Sequence, residues 1–478
     1  MASIVGGGAA SGGAQILPEV AAFSSSLQLD KALLLEDVVG SLAHVIMLSR
    51  TGIIPREAAQ QIRDALAQIP GQPLPEEEDV HMAVETLLTA RLGETAGMLH
   101  TARSRNDQIA LDLRLHVREQ GALILDELSK LLGELAERAS QERDTLLPGY
   151  THRQRAQPVS AAYYLCAWGQ MFVRDCWLFG SDVIFLADHL PLGVGALGGT
   201  SLPIDRQLVQ GLLDFEELTR NGLDTVGDRD FALDFAYGAA RSLLHASRIA
   251  TDVIDFCTAE FGYVKLDDQI AMGSSMMPQK RNPDLFELIR GKSGRGVGNL
   301  NALLVTLKGL PGGYNRDLQE DRQPILETGP LLLSVLRMLR VGLSKIRFDG
   351  ARGRAALQDG ATAATDLAEA LAQTGIPFRT AYKLTGALVR KCTESGIALS
   401  AAPLKLAQEI DPRFTAEILS KADAAQAVAG KRNAGGTGAE SITMQIEHLR
   451  TWADAAAKQA KAMPRLHQLF EQLKEEPL

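Results

Sequence analysis

From Asp30 to Arg50 apolar residues recur every third or fourth position, at Leu34, Val38, Leu42 and Val45, which predicts an amphipathic helix. The Gly52 and Pro55 breaks end it and open a second helix running to Ile69. A proline-rich turn at 71–75 and the acids Glu76, Glu77, Glu78 and Asp79 lead into a third helix start at His81. Residues 106–147 contain no proline, and Ile109, Leu113, Val117, Ile124, Leu131 and Leu135 form one stripe. At 1.5 Å per residue this predicts a helix of roughly 60 Å. Further proline-free segments at 159–190, 206–221, 229–261, 284–310 and 331–347 predict a bundle of long helices. Segments apolar on every side, such as Leu303-Leu304-Val305 and Leu331-Leu332-Leu333, suggest faces buried against other subunits.

Beyond about residue 355 the periodic segments shorten to 361–374, 377–395, 402–410 and 439–462, broken by Gly and Pro. No strand alternation of useful length and no internal repeat appear. The expected fold is all-α, in three helical domains after a flexible Gly/Ala-rich tail at 1–20. The domains are an N-terminal one at 21–105, a central long-helix bundle at 106–355 and a C-terminal one at 356–478.

Composition narrows the function more than the fold. The 478 residues are 46% hydrophobic but only 5% aromatic, which favours helix over sheet. A net charge of -9 argues against nucleic acid as a partner. Cys166, Cys176, Cys257 and Cys392 lack paired spacing and read as buried free thiols of a reducing compartment. Without a signal-like start or a run of 18 apolar residues, the expectation is a soluble cytoplasmic protein with no membrane partner. The nine histidines show no metal-ligand spacing, so neither metal nor cofactor is expected.

Candidate chemistry sits at four junctions between helices. Residues 273–283 (Gly-Ser-Ser-Met-Met-Pro-Gln-Lys-Arg-Asn-Pro) form a broken polar loop feeding a helix start, suited to an anion through Lys280, Arg281 and backbone N–H groups. Within it Ser274 or Ser275 can serve as nucleophile or base if its proton is labilised. Residues 97–108 place Arg105 and Asn106 at the start of the longest helix, where an arginine fork can clamp a carboxylate. Residues 149–158 hold His152, a candidate acid or base because imidazole titrates near neutrality. Residues 313–322 crowd groups able to bind both a carboxylate and a guanidinium. Two glycine-rich echoes are set aside. Gly291-Lys292-Ser293 lacks the first glycine and the strand of a P-loop, and residues 193–200 lack the frame of a dinucleotide fingerprint.

Taken together, these segments resemble the fumarase/aspartase superfamily and, within it, the argininosuccinate lyase family. Residues 273–283 look like the superfamily signature loop. Residues 100–108 and 149–158 look like two further signature regions, and 78–81 and 314–321 match flanking motifs, all in the family's order over about residues 23–450. The resemblance implies reversible β-elimination of argininosuccinate to arginine and fumarate. It also implies a homotetramer with a twenty-helix core and four sites, each built from three subunits.

By carry-over, Ser274 is the base, and Lys280 and Asn282 are electrophilic partners. His152, oriented by Glu287, is the candidate acid or proton relay. His81, Ser104, Arg105, Asn106 and Thr151 would hold the succinyl carboxylates, while Ser26, Asp30, Tyr314, Gln319 and Arg322 would surround the arginine portion. The family's Trp-Gly-Gly-Arg-Phe segment is missing near residues 16–22. Its Asn-Ala-Ser is Ser24-Ser25-Ser26, an expected lysine is Arg322, and an expected glycine is Ala102. These departures spare the eliminating groups and fall mainly on the amine side. The alternatives are therefore a related C–N lyase releasing fumarate from another N-substituted aspartate, or an inactive crystallin-like structural homologue.

Overall fold

The computed structural model describes residues 16–478. Most of the expected tail, residues 1–15, lies outside them; its last residues open a short exposed helix, Pro18–Ser24, with proline in the first turn, where a missing N–H costs nothing. Helix α1 (Leu34–Arg50) is buried on every side, and α2 (Val80–Leu92) is capped by Asp79. The longest helix, α3 (Arg105–Gln141), follows. A hairpin of β1 (Leu146–Thr151) and β2 (Gln154–Ser160) leads to α4 (Ala161–Leu178), α5 (Asp230–Phe256), α6 (Asp284–Leu307) and α7 (Arg322–Ser344). Near the C-terminus α8 (Ala439–Ala462) and α9 (Leu466–Glu475) return to the body of the molecule.

Three apolar cores organise these elements. The central one joins α3 through α7 and takes in Ile442, Ile446 and Leu449 of α8. The first is built on α1 and receives Leu469, Phe470 and Leu473 of α9. A third, small core uses residues 367–422 only. The unit expected at 356–478 is thus spread over all three cores, because the apolar stripes of α8 and α9 fit the central and first cores and leave the third compact. Helix α3 serves two cores at once. Its Leu111 and Leu115 face the first, and its Ile109, Leu113 and Val117 face the central one. Its N-terminus therefore lies at their junction.

The expected helix at 331–347 begins instead at Arg322 and passes Pro324 and Pro330. Pro324 stands in the first turn, whose N–H groups have no helical partner. Pro330 forfeits one bond, but Ile325, Leu332, Leu336 and Leu339 are fully buried on either side of it and keep the helix continuous. The segment expected at 206–221 is helical only over Arg206–Leu212. The hairpin at 146–160 was hidden by its two prolines and its lack of alternation. Leu331, Leu332 and Leu333 are buried within this chain, whereas Leu304 and Val305 stay exposed at 50% and 64%, in line with Leu288, Val297, Met338 and Val341 on α6 and α7. The stretch Pro18–Arg50 is apolar enough to cross a membrane by composition, but 78% of its most apolar window is buried inside the protein, the mark of a core helix.

One close approach fixes the hairpin against the body. Gly353 lies where a Cβ would be 2.0 Å from the Leu146 carbonyl oxygen and 2.8 Å from Leu147. Backbone cannot swing away as a side chain can, so Gly353→Ala is expected to cost about 1–3 kcal/mol, read as a lower midpoint in thermal unfolding.

Candidate active site

At the junction of the two larger cores lies a cavity of about 180 Å³. Its walls come from four chain segments: Ser26, His81, Arg105 with Asn106, and Tyr314, Gln319 and Arg322. Local capping fixes two of the walls. The Asp79 carboxylate accepts from Met82 N–H at 2.8 Å and starts α2. Ser104 and Asp107 form a capping box that starts α3, so Ser104 serves as cap while Arg105 and Asn106 project from the first turn. Just before it, Ala102 has φ 61°, a left-handed conformation that explains why glycine is expected there. The N-terminal wall is tied down by Ser26 N–H to the Glu78 carbonyl at 2.8 Å and by Gln319 Nε2 to the Ser24 carbonyl at 2.8 Å. An Arg316–Glu78 ion pair closes the same corner.

The cavity's charges are held by a buried frame. Arg322 donates through Nε to Asp30 at 3.2 Å and through Nη1 to Asp321 at 3.1 Å, and Asp321 also pairs with fully buried Arg229. Burial would lower the Arg322 pKa, but the charges of Asp321 and Asp30 hold it above its ordinary range. Asp30 does not line the cavity. It is wholly buried behind Ser26, with one oxygen taken by Arg322 and the other by the Ser26 hydroxyl. Burial raises its carboxyl pKa against the pull of Arg322 and Ser26.

On the opposite wall, His81 Nε2 lies 2.7 Å from Asp112 Oδ2, and Nδ1 lies 3.8 Å from Asp79 Oδ1. Burial alone would lower the imidazole pKa; the hydrogen bond its Nε2–H donates to Asp112 and the nearby carboxylates of Asp79 and Asp37 hold it well above the ordinary histidine range. Asp79 also receives Arg105 Nη1 at 3.2 Å. Burial works to raise its carboxyl pKa, yet His81 and Arg105 keep it far below the usual carboxylate range. Asp37, His81 and Asp112 bring three donor atoms within 4.8 Å of one another. The 2.7 Å separation is nevertheless that of a shared proton. Ligands on one tetrahedral ion at about 2.1 Å would stand roughly 3.4 Å apart.

Other sequence-predicted residues lie elsewhere in the same chain. Ser274, Lys280 and Asn282 belong to a loop closed by pairing of Met272–Gly273 with Arg281–Asn282. The Ser274 hydroxyl oxygen accepts the Met276 and Met277 N–H groups at 3.2 and 3.0 Å, and Lys280 is exposed. Thr151 and His152 form the exposed tip of the hairpin, where His152 and Arg153 take φ 52° and 57°. The tip is carried by Tyr150, whose hydroxyl meets that of Tyr263 at 2.8 Å amid Phe256 and Phe261. Glu287 is exposed in the first turns of α6, and among the described residues no hydrogen bond joins it to His152. None of these residues lines the cavity.

Sequence reasoning missed the groups behind the walls. The glycine-rich residues 193–200, set aside as a failed dinucleotide motif, fold over the start of α3. Gly193 and Gly195 donate N–H to Asp107 at 2.9 and 2.8 Å, and Asn106 donates to the Ala196 carbonyl at 3.1 Å. Positive φ at Gly193, Gly195 and Gly199 is why glycine recurs there. Asp112 was likewise overlooked, although an acid among the apolar positions of α3 is its own signal.

Comparison with known proteins shows the family of the chain. A family model described as "Lyase" matches residues 18–298, and one described as "Argininosuccinate lyase C-terminal" matches 361–429, the segment that builds the third core. The argininosuccinate lyase of Synechococcus sp. (strain JA-3-3Ab) is 48% identical over 429 residues, 88% of each chain. That of Carboxydothermus hydrogenoformans is 43% identical over 440 residues, 90% of this chain and 96% of its own. Among solved structures, EDDS lyase in complex with formate superposes with a TM-score of 0.81 at 24% identity, covering 94% of each chain, a likeness of fold. The chain therefore belongs to the argininosuccinate lyase family of the fumarase/aspartase superfamily, and is a carbon–nitrogen lyase.

Proposed function

We propose that the protein catalyses the reversible elimination of argininosuccinate to arginine and fumarate, the last step of arginine biosynthesis. The observation that carries this reading is the convergence of His81, Arg105, Asn106, Tyr314, Gln319 and Arg322 on one cavity, in a chain 48% identical to an argininosuccinate lyase over most of its length. Cationic donors on one wall suit the succinyl carboxylates. Ser26, Tyr314 and Gln319 suit the polar arginine portion, with Asp30 acting from behind Ser26.

Elimination removes a proton from the carbon beside a succinyl carboxylate, forms the fumarate double bond, and breaks the C–N bond with a proton delivered to the guanidino nitrogen. Ser274 is the base. Its alkoxide would be stabilised by the two backbone N–H groups that already converge on its oxygen and by Lys280. Charge growing on the carboxylate falls to Lys280 and Asn282. His152, steered by Glu287, supplies the proton to the leaving nitrogen, and Thr151 and Ser104 help seat the carboxylates.

Because Ser274 and His152 lie outside the cavity of their own chain, the working unit is a homotetramer whose sites each draw on three subunits. The exposed apolar rows on α6 and α7 support this reading, being the surfaces such an assembly would cover. Four unpaired cysteines support a cytoplasmic setting. No cofactor, nucleic acid or membrane enters the scheme. The test is fumarate absorbance against a panel of N-substituted aspartates. Turnover of argininosuccinate above all others is expected; preference for another succinyl amine would reassign the substrate, and no turnover of any would sink the enzyme reading.

A further inference from the structure

Behind the cavity, α1 and α3 bury three acids in one place. Glu36, Asp37 and Asp112 are each at most 4% exposed, and histidines pair with two of them, His116 with Glu36 and His81 with Asp112. His116 Nδ1 takes Glu36 at 3.0 Å, and Gln108 donates to Asp37. That leaves Asp37 Oδ2 and Asp112 Oδ1 without a hydrogen-bond partner among the described residues. Burying unpaired carboxylate oxygens costs stability, so this excess of negative charge calls for a purpose other than stability. None of the three lines the cavity.

We propose that Asp112, backed by Asp37, is a positioning residue that locks the His81 ring as an imidazolium, holding Nε2–H on its own carboxylate and turning Nδ1–H toward the cavity as a fixed donor for a substrate carboxylate. The geometry assigns both ends. Nε2 is committed at 2.7 Å, while Nδ1, at 3.8 Å from Asp79, lies beyond hydrogen-bond range of that acid. Asp79 sits between His81 and Arg105, so it offsets part of the charge of both and leaves a net positive wall for a substrate carboxylate. The inference rests on the argininosuccinate reading for its substrate and on Asp112 for its device.

Every charge around the ring bears on its proton. From α1 come Asp37 and Glu36, and Asp30 lies just before them. Asp79 and Glu85 come from its own segment, and His100 and Arg103 from the following turn. Arg105 and Asp112 come from α3. Burial pushes the Asp112 carboxyl up to about 7 against the pull of the hydrogen bond and charge of His81.

The variant Asp112→Asn keeps the size of the side chain and removes its charge. His81 then loses its proton as pH rises. The value of kcat/KM for argininosuccinate is expected to fall about tenfold or more between about pH 7 and about pH 9 relative to wild type, recovering at the acid end. The loss should appear mainly in KM, because a carboxylate clamp acts on ground and transition states alike. A merely structural role would lower activity in parallel at all pH values, and that result in a folded variant would overturn the proposal. Should the variant not fold, neutron diffraction from wild-type crystals near pH 8 decides. Deuterium on both His81 nitrogens is expected; deuterium on only one would overturn the proposal. Wild-type protein without argininosuccinate turnover would refute the functional reading, and the neutron experiment would still decide the state of His81.

Discussion

Replacing Ser274 by alanine is expected to lower kcat about a thousandfold, within the range that a positioned general base contributes, while leaving assembly and thermal midpoint unchanged. Both halves of this expectation have structural reasons. The Ser274 oxygen is the acceptor of two backbone N–H groups at 3.2 and 3.0 Å, an arrangement that favours a negative oxygen, and alanine offers those donors nothing. The loop is surface-borne, with Met276 87% exposed beside it, so no core is disturbed. Serine is a weak base in water. As the proposed base it would depend on this local field, and Lys280→Met should reproduce part of the loss. Fumarate release near the wild-type rate from Ser274→Ala would remove the serine from the chemistry.

Asp321→Ala is expected to be the most destabilising single change near the site, at about 3–5 kcal/mol, because it strips a buried carboxylate from two buried guanidinium groups. Arg229 is 1% exposed and Arg322 4%, and Asp321 itself has no exposure. Arg322 would retain Asp30 and the Leu318 carbonyl, whereas Arg229 would keep only backbone carbonyls. Since a whole domain is stable by only about 5–15 kcal/mol, the thermal midpoint should fall steeply. The double variant Arg229→Met with Asp321→Leu removes the stranded charge together with its partner and should recover much of the loss. Equal instability of the single and double variants would show that packing, not the unpaired charge, is responsible.

Much of this was legible in the sequence for identifiable reasons. The 3.6-residue stripe of α3 and the absence of proline in it announce the longest helix, and capping residues announce its start at Ser104. The hairpin that carries Thr151 and His152 was not legible. Its strands contain Pro148 and Pro158, and its turn uses positive φ at a histidine and an arginine, residues that give no turn signal. The continuous α7 was missed because proline was read as a stop, although its neighbours are buried deeply enough to outweigh one lost bond. Among site residues, those at helix starts were recognisable because they cluster with caps. Asp30 stood out by its charge, but that its charge is already shared with Arg322 depends on residues nearly three hundred positions apart in the sequence. Asp37 and Asp112 act from behind the wall, and only the fold brings them to His81.

The cavity offers a place for substrate, while the residues assigned to proton transfer stand on the loop at Ser274 and the hairpin tip at His152 of the same chain. Mixed tetramers of Ser274→Ala and His152→Asn chains, co-expressed and isolated with two tags, test this division directly. If Ser274 and His152 of a site come from different subunits, random mixing gives about a quarter of the sites both groups intact. Fumarate release at about that fraction of the wild-type rate is expected from two parents that are each inactive. Verified mixed tetramers with no more activity than the parents would contradict shared sites.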